Sequence, residues 1–416
     1  MKKIVMSAVA LTAIIGSLDV VSAEDGINIF NDTKLKGEIR PRYEVVDVKD
    51  NGIEKGQAFT ARVHLAVTAG LLDVDGLSAT VGIQSVNNFG YTNYAPASTG
   101  YDKILDPQVA MLSEASLDYK VGKTALHAGR SQLNLDNQRF IGTVGWRQVE
   151  RSYDTVSAIN TDVENLELMA AYLYGYAGVG GVTTAETSSA LLHAKYKLMD
   201  ELTITAYDYM IASNYDTIGV ALTGNADVGV KLDYRAEYAM QTDPSLEYRT
   251  TNVKQDSYYI NLDLGVNFSG ILAGINYEVL SGYDENDAST TKTNFNPSFG
   301  TNHKFNGWAD VFYVGNAGAA GGLIDTNIRL GYTAPGLGKL LAFYHDFKAE
   351  TSMNATSGTT DNLGSEFDIV YVNKVPMVNG LTGLIKYASY SKGDAVSFAN
   401  ATFDKQVAWV QLDYKF

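Results

Sequence analysis

From residue 35 onward the chain alternates with a period of two, and one of its two faces is charged. Leu35, Gly37, Ile39, Pro41, Tyr43 and Val45 fall on one side of an extended strand, and Lys36, Glu38, Arg40, Arg42 and Glu44 on the other. Five successive charges on one face cannot enter a packed apolar core, because each would leave water without a partner. That face lines water, and the opposite face needs an apolar neighbour. The pattern recurs. Phe59, Ala61, Val63, Leu65 and Val67 alternate with Thr60, Arg62, His64 and Thr68. Leu232, Tyr234, Ala236, Tyr238 and Met240 alternate with Lys231, Asp233, Arg235, Glu237 and Gln241, and Tyr258, Ile260, Leu262, Leu264 and Val266 with Tyr259, Asn261, Asp263 and Asn267. Two all-β architectures satisfy this: a soluble sandwich whose apolar faces meet, and a transmembrane barrel whose apolar face meets lipid. A mean hydropathy of −0.09 fits both, since the two faces cancel.

The connections decide between them. Short turns fall at 70–76, 122–123, 161–165, 199–200, 224–227, 268–270, 334–338 and 375–380. Longer segments fall at 47–58, 87–112, 131–151, 176–187, 213–215, 242–256, 282–321, 349–363 and 392–404. Short and long mostly alternate, with 213–215 a weak member of the longer set, as they do in a barrel with tight periplasmic turns and long external loops. Eight turns and nine longer segments predict an antiparallel β-barrel of 18 strands; one missed hairpin would make it 16. Strands of about 11 residues suffice to cross a bilayer. At this size the lumen is aqueous unless a loop plugs it.

The two ends agree with export to a bacterial outer membrane. Met1-Lys2-Lys3 precedes an apolar run over 4–16, and Val21-Ser22-Ala23 has the small residues of a cleavage site. This pattern predicts a signal peptide over 1–23, leaving 24–416 as one barrel domain. The chain ends with Ala408, Val410, Leu412, Tyr414 and Phe416 on one face and Trp409, Gln411, Asp413 and Lys415 on the other. Val410, Leu412, Tyr414 and Phe416 resemble the terminal signal read by the outer-membrane assembly machinery, which makes that machinery an expected partner beside lipid. Tyr119, Tyr172, Tyr174, Tyr196, Tyr332 and Tyr414 lie near strand ends, where an interfacial girdle belongs.

The segment after Gly129 is dense in arginine. Arg130, Arg139, Arg147 and Arg151 stand against Asp136, Glu150 and Asp154 in what the pattern reads as a loop. Guanidinium forks bind carboxylates and phosphates. Folded into the lumen, such a loop would either set cations across the permeation path or be pinned to the wall by Arg–Asp pairs. Asp136 and Asp154 are the anchor candidates here. In the longest loop, 282–321, Trp308 and Asp310 hold the same role, because Gly307-Trp308-Ala309-Asp310 reads as packing. The remaining candidate lumen cations are Arg40, Arg42, Arg62, Lys231, Arg235 and Arg329, mixed with Glu38, Glu44, Asp233, Glu237 and Asp325.

The blocks Gly129–Asp154, Phe295-Asn296-Pro297 with His303–Phe312, and Glu237–Gln241 resemble the alginate-export family of outer-membrane porins. The resemblance implies a monomeric 18-stranded barrel with an arginine-bearing constriction. Its acidic-polysaccharide substrate does not carry over to a lumen whose charges are mixed.

The predicted function is passive diffusion of small polar or anionic solutes through a loop-narrowed pore. Export of an acidic polysaccharide is the rival within transport. An outer-membrane hydrolase, or a plugged surface or adhesion barrel, is the rival of another class. No catalytic role and no cofactor are expected. The 5 His show no metal-ligand spacing, there is no Cys, and no Gly-x-Ser-x-Gly motif occurs. A net charge of −15 argues against nucleic acid.

Overall fold

The alternating runs form one antiparallel sheet of 18 strands that closes on itself. The structure is a computed structural model that describes residues 29–181, 184–246, 254–284, 286, 293–312, 320–396 and 401–416. The signal peptide expected at 1–23 lies outside the described residues. In chain order the strands are β1 (Phe30–Val48), β2 (Gly56–Leu71), β3 (Leu77–Asn87), β4 (Val109–Val121), β5 (Thr124–Ser131), β6 (Ser152–Asn160), β7 (Leu166–Ala177), β8 (Thr184–Met199) and β9 (Leu202–Ile211). They continue with β10 (Tyr215–Asp227), β11 (Lys231–Thr242), β12 (Asp256–Phe268), β13 (Ile271–Leu280), β14 (Leu323–Ala334), β15 (Gly338–Asn354), β16 (Thr359–Lys374), β17 (Leu381–Lys392) and β18 (Lys405–Lys415). Each strand pairs with its neighbour in sequence, and β1 also pairs with β18, in the register Ile39↔Tyr414, Tyr43↔Val410 and Val45↔Ala408. Closure leaves no free sheet edge, so every strand's backbone groups find partners within the wall.

The two faces sort as the alternation requires. Ile39, Leu262, Leu264, Tyr238 and Met240 point outward and are exposed, while Glu38, Arg40, Arg42, Glu44, Thr60, Arg62 and His64 point inward and are buried. The girdle candidates Tyr119, Tyr172, Tyr174, Tyr196 and Tyr332 are exposed on the outer face. A soluble sandwich would show the reverse, with the apolar face covered.

Short turns and long connections collect at opposite rims. Two of the sequence boundaries need correction. Residues 224–227 belong to β10, and the turn is 228–230. Segment 349–363 is not a loop: β15 and β16 run through it as a hairpin that leaves only 355–358 outside the strands. Thr, Ser and Asn dominate this stretch, so it carries no apolar alternation and reads as loop. The backbone ladder forms there nonetheless, after register shifts beside Phe347 and Lys348.

The packed core sits inside the lumen, between wall and inserted loops. Phe140 contacts Tyr259 at 5.2 Å and Phe295 at 5.8 Å. Phe299 contacts Tyr153 and Tyr176, and Phe312 contacts Phe347 and Tyr390. Phe140, Phe295, Phe299 and Phe312 come from the two loops, so burying these rings is what draws the loops inward.

A candidate permeation site inside the barrel

Among the described residues, connections 132–151, between β5 and β6, and 281–322, between β13 and β14, enter the lumen, and 88–108, between β3 and β4, reaches Arg42 and Gln148 there through Asp106. The first is sewn to the inward faces of β1, β2 and β3. Gln148 Nε2 donates to the carbonyl of Arg40 and to Thr60 Oγ1. Gln84 and Glu150 exchange two bonds, and Arg62 Nη2 donates to Glu150 Oε2 at 2.9 Å. Arg40 donates to the carbonyl of Gly145 at 2.8 Å, and Arg42 to that of Trp146. The second connection is held by β16, which is separated from β1 by β17 and β18. The backbone N–H of Trp308 donates to Asp368 and that of Ala309 to Glu366, both on β16. The two loops bind each other as well: Gly142 N–H donates to the Phe299 carbonyl, and Val144 N–H to Thr301 Oγ1.

The arginines of the first loop divide by partner. Arg139 is 1 % exposed and grips Glu278 through Nε and Nη2, with Asn306 at 2.9 Å and the Phe305 ring at 4.6 Å. Arg130, at the end of β5, forks onto Asp154 with two bonds of 2.7 Å. Arg147 bridges Glu44 at 3.1 Å and Asp310 at 2.6 Å. Among the described residues Arg151 has no carboxylate partner: it donates to the carbonyls of Gly142 and Ser298 and to the Tyr153 hydroxyl.

The wall cations are mostly paired too. Arg40 meets Glu38 at 2.7 Å, Arg235 meets Glu237 at 2.7 Å, and Arg329 forks onto Asp263. Arg42, 1 % exposed, lies 4.2 Å above the Trp146 ring and binds Gln411 and Asp106. Lys231 stands exposed at the turn-side start of β11. Of the anchor candidates, Asp136 binds His193 at 2.9 Å and Lys195 at 3.3 Å, and Asp310 binds Arg147 and His303. Trp308 packs edge-on against Phe343. Val410, Leu412 and Phe416 point outward and are exposed, with the Tyr414 ring 5.5 Å from Phe416.

Sequence reading missed the residue at the centre. Lys386 on β17 is buried, and its ammonium lies 3.9 Å from the Trp308 ring, 4.1 Å from Trp146 and 5.0 Å from Trp409. These are all 3 tryptophans of the chain. Lys386 Nζ is 2.7 Å from His303 Nε2. An ammonium can only donate, so Nε2 accepts, and Nδ1 carries the proton given to Asp310 at 2.7 Å. Burial first, and then the neighbouring ammonium, pushes the His303 imidazole down to about 3. Burial opposes ionisation of Asp310, but His303 and Arg147 outweigh it and hold its carboxyl well below the usual range. The chain Lys386–His303–Asp310–Arg147–Glu44 thus ties β17, both loops and β1 together. A single lysine in an alternating strand gives no sequence signal of this.

Two cavities flank the inserted loops. The outer one, of 480 Å³, is lined by Arg147, Arg151, Lys103 and Lys405 against Asp102 and Asp310, with Val46, Val48, Ile53 and Phe403 as apolar wall. The inner one, of 260 Å³, is lined by Glu38, Arg40, Arg62, Gln132, Gly145 and Glu150, among others. Each of the 5 His pairs with a carboxylate, and no metal-binding cluster occurs among the described residues. Ser131 Oγ lies 3.1 Å from His127 Nε2, with Asp118 on Nδ1 at 2.7 Å. Nε2 also faces the Gly129 carbonyl at 3.3 Å. With Nδ1–H given to Asp118, Nε2 keeps its lone pair on the side shared by the Ser131 hydroxyl and the Gly129 carbonyl.

No protein family and no curated protein sequence matches the chain. Solved structures do match its fold. Pseudomonas aeruginosa OpdK with vanillate superposes with a TM-score of 0.71 at 14% identity, covering 93% of this chain and 99% of that one. Pseudomonas aeruginosa OccK9 (OpdG) gives 0.72 at 14%, covering 92% and 98%. Acinetobacter baumannii OccAB4 gives 0.69 at 13%, covering 93% and 98%. The chain has the fold of these outer-membrane porins. The resemblance to the alginate-export family is thereby corrected: the matching structures are OccK and OpdK porins, not alginate exporters. Arginine and tryptophan in an inserted loop answer the general needs of plugging a wide barrel, so those blocks are not specific to one family.

Proposed function

We propose that this chain is an outer-membrane porin that lets small polar or anionic solutes diffuse passively through a loop-narrowed aqueous pore. The observation that carries the reading is the outer cavity. Four cations (Lys103, Arg147, Arg151 and Lys405) face two carboxylates (Asp102 and Asp310) across an apolar wall. Such a lining draws in anions and holds them weakly enough to release them. The lining below it mixes Glu38 and Glu150 with Arg40 and Arg62, which suits small solutes better than a long polyanion. Passage down a gradient needs no catalytic step or cofactor. A small aromatic carboxylate such as vanillate, which one similar porin holds, is the first solute to try. In this reading segments 131–151 and 282–321 form the constriction, residues 1–23 direct export, and Val410, Leu412, Tyr414 and Phe416 engage the assembly machinery.

The test is single-channel recording from the refolded protein in a planar bilayer under a salt gradient. We expect steps of fixed size and a reversal potential of the sign given by anion preference. Replacing Arg147 and Arg151 by Gln should move that potential toward cation preference, and an unmoved potential would remove both residues from the selectivity filter. A folded barrel that never conducts would overturn the porin reading.

A further inference from the structure

The outer and inner cavities are separated by four residues. Val144 and Arg147 line the outer cavity, and Gly145, between them, lines the inner one. The segment therefore borders both cavities and stands between them as a septum. Its base is tied, since Arg151 N–H donates to the Thr143 carbonyl at 2.8 Å. Residues 144–150 form a lobe between those ends, and moving it inward or outward has to release Arg40 from the Gly145 carbonyl and Arg42 from that of Trp146.

The lobe is strained. Val144 has φ +57, a left-handed conformation that a β-branched side chain avoids. Such strain persists only where surrounding contacts overdetermine it. Here the contacts converge on Trp146. Its ring stacks on His303 at 4.8 Å and 6°, lies under Arg42 and meets Trp409 edge-on at 5.6 Å. Lys386 completes the cage from β17. Among the described residues the lysine forms no ion pair with a carboxylate, and its close partners are His303 and the three indoles. Displacing Trp146 would take away one wall of the ammonium's cage. The position of the septum and the solvation of Lys386 are thus one equilibrium.

We propose that Val144–Arg147 is the gate of this pore and that Lys386, caged by Trp146, Trp308 and Trp409, is its latch. This rests on the porin reading. The closed state is the arrangement described above. In the open state Trp146 leaves the cage, Val144 relaxes, and the two cavities join.

The latch is tested with Lys386→Met, which keeps the length of the side chain and removes the charge. A desolvated cation–π contact contributes enough that its loss should raise the open-to-closed ratio on the order of tenfold. Tryptophan emission should shift to the red and become more open to a soluble quencher, because every tryptophan lines the cage. The gate is tested separately, since the chain has no native cysteine. With Gly145→Cys on the inner side and Lys103→Cys on the outer, a membrane-impermeant thiol reagent should reach each from its own side only. In the Lys386→Met background each should react from both sides. Equal labelling from both sides in the otherwise native chain overturns the gate. An open fraction and emission unchanged by Lys386→Met overturn the latch. Loss of the porin reading would look different: no variant conducts, while the one-sided labelling persists.

Discussion

A guanidinium at 1 % exposure can exist only where its charge is met, and Arg139 meets Glu278 through two nitrogens. The pair does not have to be a net source of stability, but breaking it leaves Glu278 charged and buried. Arg139→Ala should therefore lower the unfolding free energy by about 3–5 kcal/mol, read from urea titration of the protein in detergent micelles. The double variant Arg139→Gln, Glu278→Gln should recover part of that loss. A double variant no better than the single would show that the pair is not what holds the loop. The sequence makes Arg139 conspicuous by type and leaves its partner invisible, because Glu278 lies 139 residues away. The same holds for Arg147 and Glu44, 103 residues apart. Whether a cation faces the pore or pins a loop depends on such distant partners. Both readings of the arginines stood open on composition alone for that reason.

At the scale of elements, the strands were readable because a half-buried strand writes its environment into every second residue. The inward set Glu38, Arg40, Arg42 and Glu44 follows from that alternation, which fixes the face of each residue but not the β1–β18 register. The inserted loops were not readable in the same way. Their segments were marked by Arg, Trp and Gly, but a loop has no period from which its contacts can be deduced. Lys386 was hidden for a related reason: parity places it inside, and nothing local says that three indoles converge there. The docked loops should be sensitive to acid through His303. Around that ring stand Asp310 and Arg147 from the loops, Lys386 from β17, and Lys405 from β18 close to Asp310. The imidazole, pushed down to about 3 when docked, returns to about 6.5 once undocked and solvated. The docked state then binds fewer protons than the undocked one. Docking is at full strength above about pH 6.5 and weakens as the pH falls toward 3. Asp310 stays ionised through this window, so His303 carries the effect. Tryptophan quenching measured from pH 7 to pH 4 should rise, and His303→Gln should flatten the rise. A flat profile in the native chain would show that His303 does not gate docking.

For the whole molecule, closure is the event on which everything else depends, and it takes place where β1 meets β18. Gly37 N–H donates to the Phe416 carbonyl at 2.8 Å, and Phe416 N–H returns a bond to Gly37 at 3.0 Å. The Phe416 ring lies flat over Gly37, where an added Cβ would sit 2.3 Å from a ring carbon. A larger residue must push the ring off the seam, because the backbone bonds fix both ends of the contact. The terminal aromatic is thus coupled to barrel closure through the absence of a side chain at position 37. Gly37→Val should slow closure in refolding from urea into detergent micelles, followed by the gel shift between folded and heated protein. Unfolding of the closed barrel should be affected less, since one displaced ring is a small part of an 18-stranded wall. Phe416→Ala in the Gly37→Val background should restore part of the rate by removing the clash while leaving the backbone bonds. If Gly37→Val closes at the native rate, the ring is not seated on the seam when the barrel shuts, and the terminal strand acts through its ladder alone.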